Sequence, residues 1–254
     1  MVLRLGSFAF ATAFLTGVVF MLPSDVQSAP SSGSAEAARG AATGRDHPPN
    51  WQSGERVEGP ARIVDGDTID IGGTRIRLEG IDAPEAGQDC ERADGTRWRC
   101  GDEATRLLSV LVRGAAVSCI VKGLDKYGRT LATCYSGTID INGQMVRQGF
   151  AWAFVKYSAT YVKEEAAARA SRAGVWQGHA TPPWVHRETR WTSASESAPQ
   201  GCAIKGNVSH SGRIYHMPWS PWYGKVVMRS EKGTRWFCSE AEAQAAGWRP
   251  ANAR

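Results

Sequence analysis

From Pro60 onward the chain alternates apolar and polar residues. "RIV" (62–64), "TIDI" (68–71) and "TRIRLEGI" (74–81) place apolar side chains at about every second position, as strands buried on one face do. Gly72-Gly73 supplies a tight hairpin turn between the last two. The period then lengthens. In "GDEATRLLSVLVRG" (101–114), Ala104, Leu107, Leu108 and Leu111 share one helical face and Gly114 is a stop. "AVSCIV" and "RTLATCY" read as two more strands joined through "KGLDKYG". "NGQMVRQG" reads as a short helix ended by Gly149, and "YVKEEAAARASRAG" as a longer one ended by Gly174. Three strands, a helix, two strands and two helices predict an α+β fold. Its simplest closure is a five-stranded OB-fold barrel with about three helices.

The flanks have other patterns. Phe8 to Leu22 is an uncharged apolar run of 15 residues behind Arg4, and Val26 and Ser28 satisfy the small-residue rule for cleavage after Ser28. Residues 1–28 therefore read as an export signal, with an uncleaved anchor as the alternative and no membrane span after cleavage. Residues 29–59, rich in Ser, Gly, Ala and Pro, read as a flexible linker. The barrel domain occupies 60–178, a second linker 179–200, and a small C-terminal module 201–254. A secreted or periplasmic monomer follows from this organisation.

Composition changes the picture in two places. The net charge of +5 is concentrated in residues 179–254, which carry 10 basic and 5 acidic groups and six of the ten tryptophans. Such a tail suits a polyanion or an envelope glycan, or else a small tryptophan-cored domain. The six cysteines are an even set in an exported chain, which predicts three disulfides. Cys90 and Cys100 bracket a polar insert, Cys119 and Cys134 lie in successive strands, and Cys202 and Cys238 remain for the tail. No CxxC or HxxxH spacing points to zinc.

The stretch "IVDGDTIDIGGTRIRLEGIDAPE" (63–85) concentrates the candidate chemistry, with six acids and two arginines among strand-forming residues. In its second strand Ile76 and Leu78 face one way, and Arg75, Arg77 and Glu79 the other. Asp67 follows a glycine in a loop, and Asp82 and Glu85 flank Ala83-Pro84. Oxygen ligands of this type suit a hard cation, and a fork-shaped guanidinium suits a phosphate.

"VDGDTI", "RLEGIDAPE" and "DKYGR" (125–129), in that order, resemble the staphylococcal nuclease family over roughly residues 60–178, including the terminal "GVW". The resemblance implies an OB-type barrel that hydrolyses DNA and RNA with calcium, leaving 3′-phosphate ends. It places Asp67, Asp82 and the backbone carbonyl of Ala83 as calcium ligands; the best-known member has threonine at the last. Asp65 is then an outer-shell acid, Arg77 and Arg129 the phosphate-binding pair, and Glu85 the carboxylate that acts on the attacking water. Lys126 and Tyr127 fall where the family contacts a neighbouring phosphate, and Tyr157 near a base-packing tyrosine. A non-catalytic oligonucleotide-binding barrel is the competing expectation. The tail resembles accessory modules of exported nucleases and, more remotely, the metal-binding domain of the Ada DNA-repair protein. The zinc cysteines of that domain are unmatched, with Ser220 near one such position, and His210 and His216 read as ordinary loop or hydrogen-bonding residues.

Overall fold

Arg56–Gly59 (β1) and Ala61–Ile63 (β2) are two short strands separated by Pro60. The computed structural model describes residues 53–114, 116–125 and 127–251; the expected export signal, Lys126 and the linker before residue 53 lie outside the described residues. Thr68–Ile71 (β3) and Thr74–Leu78 (β4) form the expected hairpin, with Ile69 opposite Ile76 and Asp70 opposite Arg75. Gly72 and Gly73 have φ of 59° and 89°, the left-handed pair that a two-residue hairpin turn requires.

Ile81–Asp82 (β5), Cys90–Arg92 (β6) and Arg97–Trp98 (β7) lead into helix Cys100–Leu111 (α1). Ala104 and Leu108 on its apolar face are fully buried. Val117–Leu124 (β8) and Thr130–Ser136 (β9) pair antiparallel. Ile139–Asp140 (β10), helix Ile141–Arg147 (α2), Trp152–Ala153 (β11) and helix Val162–Ala170 (α3) complete the element order read from the sequence. The main sheet runs β1-β8-β9-β4-β3-β2, with β10 beside β9.

The two ends of that order, β1 and β2, are one stretch of chain broken at Pro60, so the same segment pairs with β8 on one side and with β3 on the other. The result is a seven-stranded mixed sheet with helices against it, consistent with an OB-like fold. The break has a local cause. Pro60 has no N–H to donate, and Gly59 beside it has φ of 150°. Ile69, Ile76, Leu78, Leu108, Val121 and Met145 form the centre of the core. The side chain of buried Asn142 donates to the carbonyls of Glu79 (2.9 Å) and Ala132 (3.2 Å), and its Oδ1 accepts from Cys134 N–H (3.1 Å). It thereby fastens the end of β4 to β9 with every polar atom satisfied.

Residues 179–200 are not an open linker. Gly178–His179 (β12) pairs with β6, and Pro183–Ser197 is a helix (α4) opened by a proline at its first turn. The earlier linker also ends in structure, since β1 pairs with β8. The C-terminal module is a four-stranded sheet of Ile204–Ser209 (β13), Gly212–His216 (β14), Arg235–Phe237 (β15) and Arg249–Pro250 (β16), with helix Glu240–Ala245 (α5). Its core is Ile204, Tyr215, Phe237, Ala243 and Trp248. A Cβ at Gly206 would stand 2.7 Å from both the Phe237 and Trp248 rings, so only glycine admits this packing. No helix among the described residues is long and apolar enough to cross a membrane.

The structure joins Cys90 to Cys100, Cys119 to Cys134 and Cys202 to Cys238. Cys119 and Cys134 are directly opposed in the β8–β9 ladder. Replacing both by alanine is expected to cost about 2–4 kcal/mol, measured as a fall in the urea unfolding midpoint.

Candidate active site

The acid cluster is assembled by two loops and a strand. Gly66 lets the loop before β3 approach the Asp82–Glu85 segment: a Cβ there would stand 2.9 Å from Ala83 Cβ and 3.0 Å from Ala104 Cβ. Asp67, which follows it, is buried. Its Oδ1 accepts from Arg77 Nη1 (3.0 Å) and the Thr68 hydroxyl (3.1 Å), and its Oδ2 from the Ala83 amide (3.2 Å). Asp65 turns back to accept from the Asp67 amide (3.2 Å). Asp82, in β5, is wholly buried and paired with Trp152 of β11. It accepts from Arg77 Nη2 at 2.8 Å. The Arg77 fork thus bridges Asp67 and Asp82, one carboxylate per nitrogen, as a planar guanidinium is built to do.

Glu85 is set by a different device. Its amide donates to Oε1 of buried Gln88 (3.0 Å), and Gln88 Nε2 donates to the Thr181 carbonyl (2.7 Å). Helix α1 closes on this loop through Gly101, where a Cβ would overlap the Glu85 carbonyl at 1.8 Å. Gly101→Ala is therefore expected to push the Glu85 loop away, with a stability loss of about 1–3 kcal/mol and a lower kcat. A thermal melt and steady-state cleavage rates check it.

A residue that sequence reasoning missed completes the cluster. Arg187 of α4 donates from Nη1 to Asp82 Oδ1 (3.0 Å), from Nη2 to Asp82 Oδ2 (2.6 Å), and from Nη1 to Glu85 Oε1 (2.6 Å). Its only sequence signal is the double proline at 182–183, which opens a helix inside a Ser- and Thr-rich stretch.

The charges respond to one another. Burial raises the Asp65 carboxyl to about 7, reinforced by Asp67 and Glu85. Burial also raises Glu85, against the pull of Arg187. At Asp67 the upward push of burial is overcome by Arg77, the Ala83 amide and Arg187, and the carboxyl lies below its ordinary range. Burial disfavours the Arg77 charge, yet Asp67 and Asp82 hold the guanidinium more firmly protonated than usual.

Four carboxylates against two guanidiniums leave a surplus of two negative charges when all are ionised, and the donors are all oxygen. That chemistry suits a hard divalent cation. As the side chains stand, no group of three or more His, Cys, Asp or Glu among the described residues is arranged to hold a metal ion. In this arrangement both oxygens of Asp82 are engaged by Arg187, and Arg77 takes one oxygen each of Asp67 and Asp82.

Arg129 is placed beside the cluster but not in it. It immediately precedes β9, whose register sets Thr130 beside Ile76 and Leu131 beside Arg77. Its side chain donates instead to Asp125 (2.6 Å) and lies 5.3 Å from the Tyr127 ring centroid. Tyr127 is exposed, and so is Tyr157, which meets Phe154 edge-on at 5.0 Å. In the tail, His216 is buried in β14 and His210 is exposed at the hairpin tip. Of the six tryptophans after residue 178, only Trp184 is exposed.

Comparison with known proteins agrees with this geometry. The family model described as staphylococcal nuclease homologue matches residues 75–178. A second model, ArfC, matches residues 188–250, the stretch that the sequence likened remotely to the Ada metal-binding domain. A micrococcal nuclease of Shigella flexneri is 35% identical over 155 residues, spanning 54% of this chain and 80% of the relative. An uncharacterized endonuclease of Escherichia coli O157:H7 is 34% identical over 51% of this chain and 83% of its own length. The succinoglycan biosynthesis protein ExoI of Rhizobium meliloti is 32% identical over 54% of this chain and 74% of its own. The chain belongs to the staphylococcal nuclease family and is a hydrolase of the nuclease class.

Proposed function

We propose that this protein is an exported, calcium-dependent nuclease that hydrolyses phosphodiester bonds of DNA and RNA with little sequence preference. The observation that carries the reading is the Arg77 fork spanning Asp67 and Asp82 with Glu85 beside them; Arg77, Asp82 and Glu85 lie inside the matched region and Asp67 just before it. Cleavage builds charge on an already anionic phosphate, and a guanidinium fixed in a buried site stabilises it without reorganising. Glu85, whose carboxyl burial raises above its ordinary range, is placed to take a proton from water. Asp67, Asp82 and the Ala83 carbonyl would hold the calcium, with Asp65 outside them. When bound, that ion would supply charge neutralisation and orient the water. Arg129 enters as the second phosphate-binding residue once it exchanges Asp125 for substrate. Lys126, Tyr127 and Tyr157 would contact the strand beyond the scissile bond.

Three disulfides accord with an oxidising compartment, periplasmic or extracellular. The basic surplus of the tail supports an electrostatic grip on polyanions. Trp248 is buried in the core of the module, four others are half-buried and only Trp184 is exposed, which speaks for packing rather than a base-stacking platform. The test is digestion of plasmid, single-stranded DNA and RNA by the purified protein with calcium, magnesium or chelator. Calcium-dependent cutting is the expected result. Binding without cutting under every condition would move the reading to an oligonucleotide-binding fold.

A further inference from the structure

The geometry points to helix α4 as an autoinhibitory strap whose Arg187 competes directly with the cation for Asp82 and Glu85. This inference rests on the nuclease reading of the same site. It begins with the saturation of Asp82: a buried carboxylate that accepts three N–H bonds, one from Arg77 and two from Arg187. A carboxylate offers about four lone-pair directions. Three of the four are taken and Arg187 engages both oxygens, so a cation that takes Asp82 as a ligand competes with the Arg187 fork for them. Displacing that fork frees Glu85 Oε1, which Arg187 also holds. One side chain thus blocks both the proposed metal position and the proposed base.

The rest of α4 is built to deliver that side chain. Its approach is pinned by Gln88 to Thr181. Trp184 stacks on Phe154 at 5.6 Å and meets Trp152, the β11 partner of Asp82, at 6.4 Å. Arg187 is one turn further on, and Trp191 and Ala194 continue along the helix into the apolar cluster with Ala203 and Tyr223. Positions 184, 187, 191 and 194 follow helical spacing, so one stripe anchors on both sides of the arginine. The helix is not packed solid against the site. A cleft of about 600 Å³ is lined by Ala86 and Gly87 beside Glu85 and by His186 and Arg190 of α4. The strap is also outside the family match, which ends at residue 178, so it is an addition to the common domain.

The experiment compares the full chain with Arg187→Ala, Arg187→Lys and Arg190→Ala by calorimetric calcium titration and by cleavage across a calcium series. Arg190 shares the helix but bonds the Pro218 carbonyl, and serves as the control. Arg187→Ala is expected to bind calcium at least about tenfold tighter and to cut at correspondingly lower calcium, with kcat at saturating calcium unchanged. Arg187→Lys keeps the charge without the fork and should fall between. Unchanged affinity in both Arg187 variants, or no calcium binding by any protein, overturns the strap. Loss of cleavage at saturating calcium also overturns it and makes Arg187 a substrate-binding group. If affinity rises as expected while no variant cuts nucleic acid, the strap stands and the nuclease reading fails.

Discussion

Glu85→Gln is expected to lower phosphodiester cleavage by about 10²–10⁴-fold while leaving the fold intact. The substitution keeps the volume and one oxygen but removes the capacity to take a proton. Nothing in the surrounding frame depends on the carboxylate itself. The loop is held by the Glu85 amide on Gln88, by the Gly101 contact and by the Cys90–Cys100 bridge, none of which involves the side chain. The melting temperature should therefore change little even though one ion pair to Arg187 becomes a neutral hydrogen bond. Single-turnover cleavage measured beside a thermal melt separates these effects. Wild-type rates in the variant would remove Glu85 from the chemistry.

Arg77→Ala should be more damaging because it acts on stability as well. The arginine is the shared counter-charge of Asp67 and Asp82, both buried. Removing it leaves two carboxylates with less compensation, at about 3–5 kcal/mol by comparison with other broken buried pairs. Cleavage should fall by about 10²–10³-fold through loss of a fixed donor to the phosphate. Arg77→Lys distinguishes the two roles. A point charge restores part of the stability, whereas a single ammonium cannot span both acids, so cleavage stays low. Denaturant unfolding and initial rates on the same preparations read both. A lysine variant with full activity would show that charge, not the fork, is what the site requires.

The sequence was most legible where local rules and burial agree. Alternation in β3 and β4, with glycines at both turn positions, located the hairpin that carries Arg77, and one-sided apolar spacing located α1. The acids at 65, 67, 82 and 85 could be grouped because they lie on loops next to that hairpin. Arg187 was not legible, because its contacts to Asp82 and Glu85 span more than a hundred residues and its helix has little apolar periodicity of its own. The role of Gly101 was equally hidden. A glycine in the first turn of a helix carries no local signal that another backbone occupies the space of its missing Cβ. The entry of residues 56–59 into the sheet, as β1 against β8, was hidden for a related reason: their local composition continues that of the linker, and only the distant strand gives them a partner.

The parallel pairing of β4 with β9 bears on how the molecule folds. Arg77 gains its neighbour Leu131 only after the chain has traversed β5 to β8 and α1, a loop of roughly 50 residues whose closure must precede any reward from the contact. The hairpin that bears Arg77 is synthesised well before its partner strand. It waits with β2 as a three-stranded meander that lacks the β9 edge it will later pair with. Assembly of the site is therefore late and non-local, and a chain interrupted before Ser136 would present the acids and Arg77 without the scaffold that aligns them.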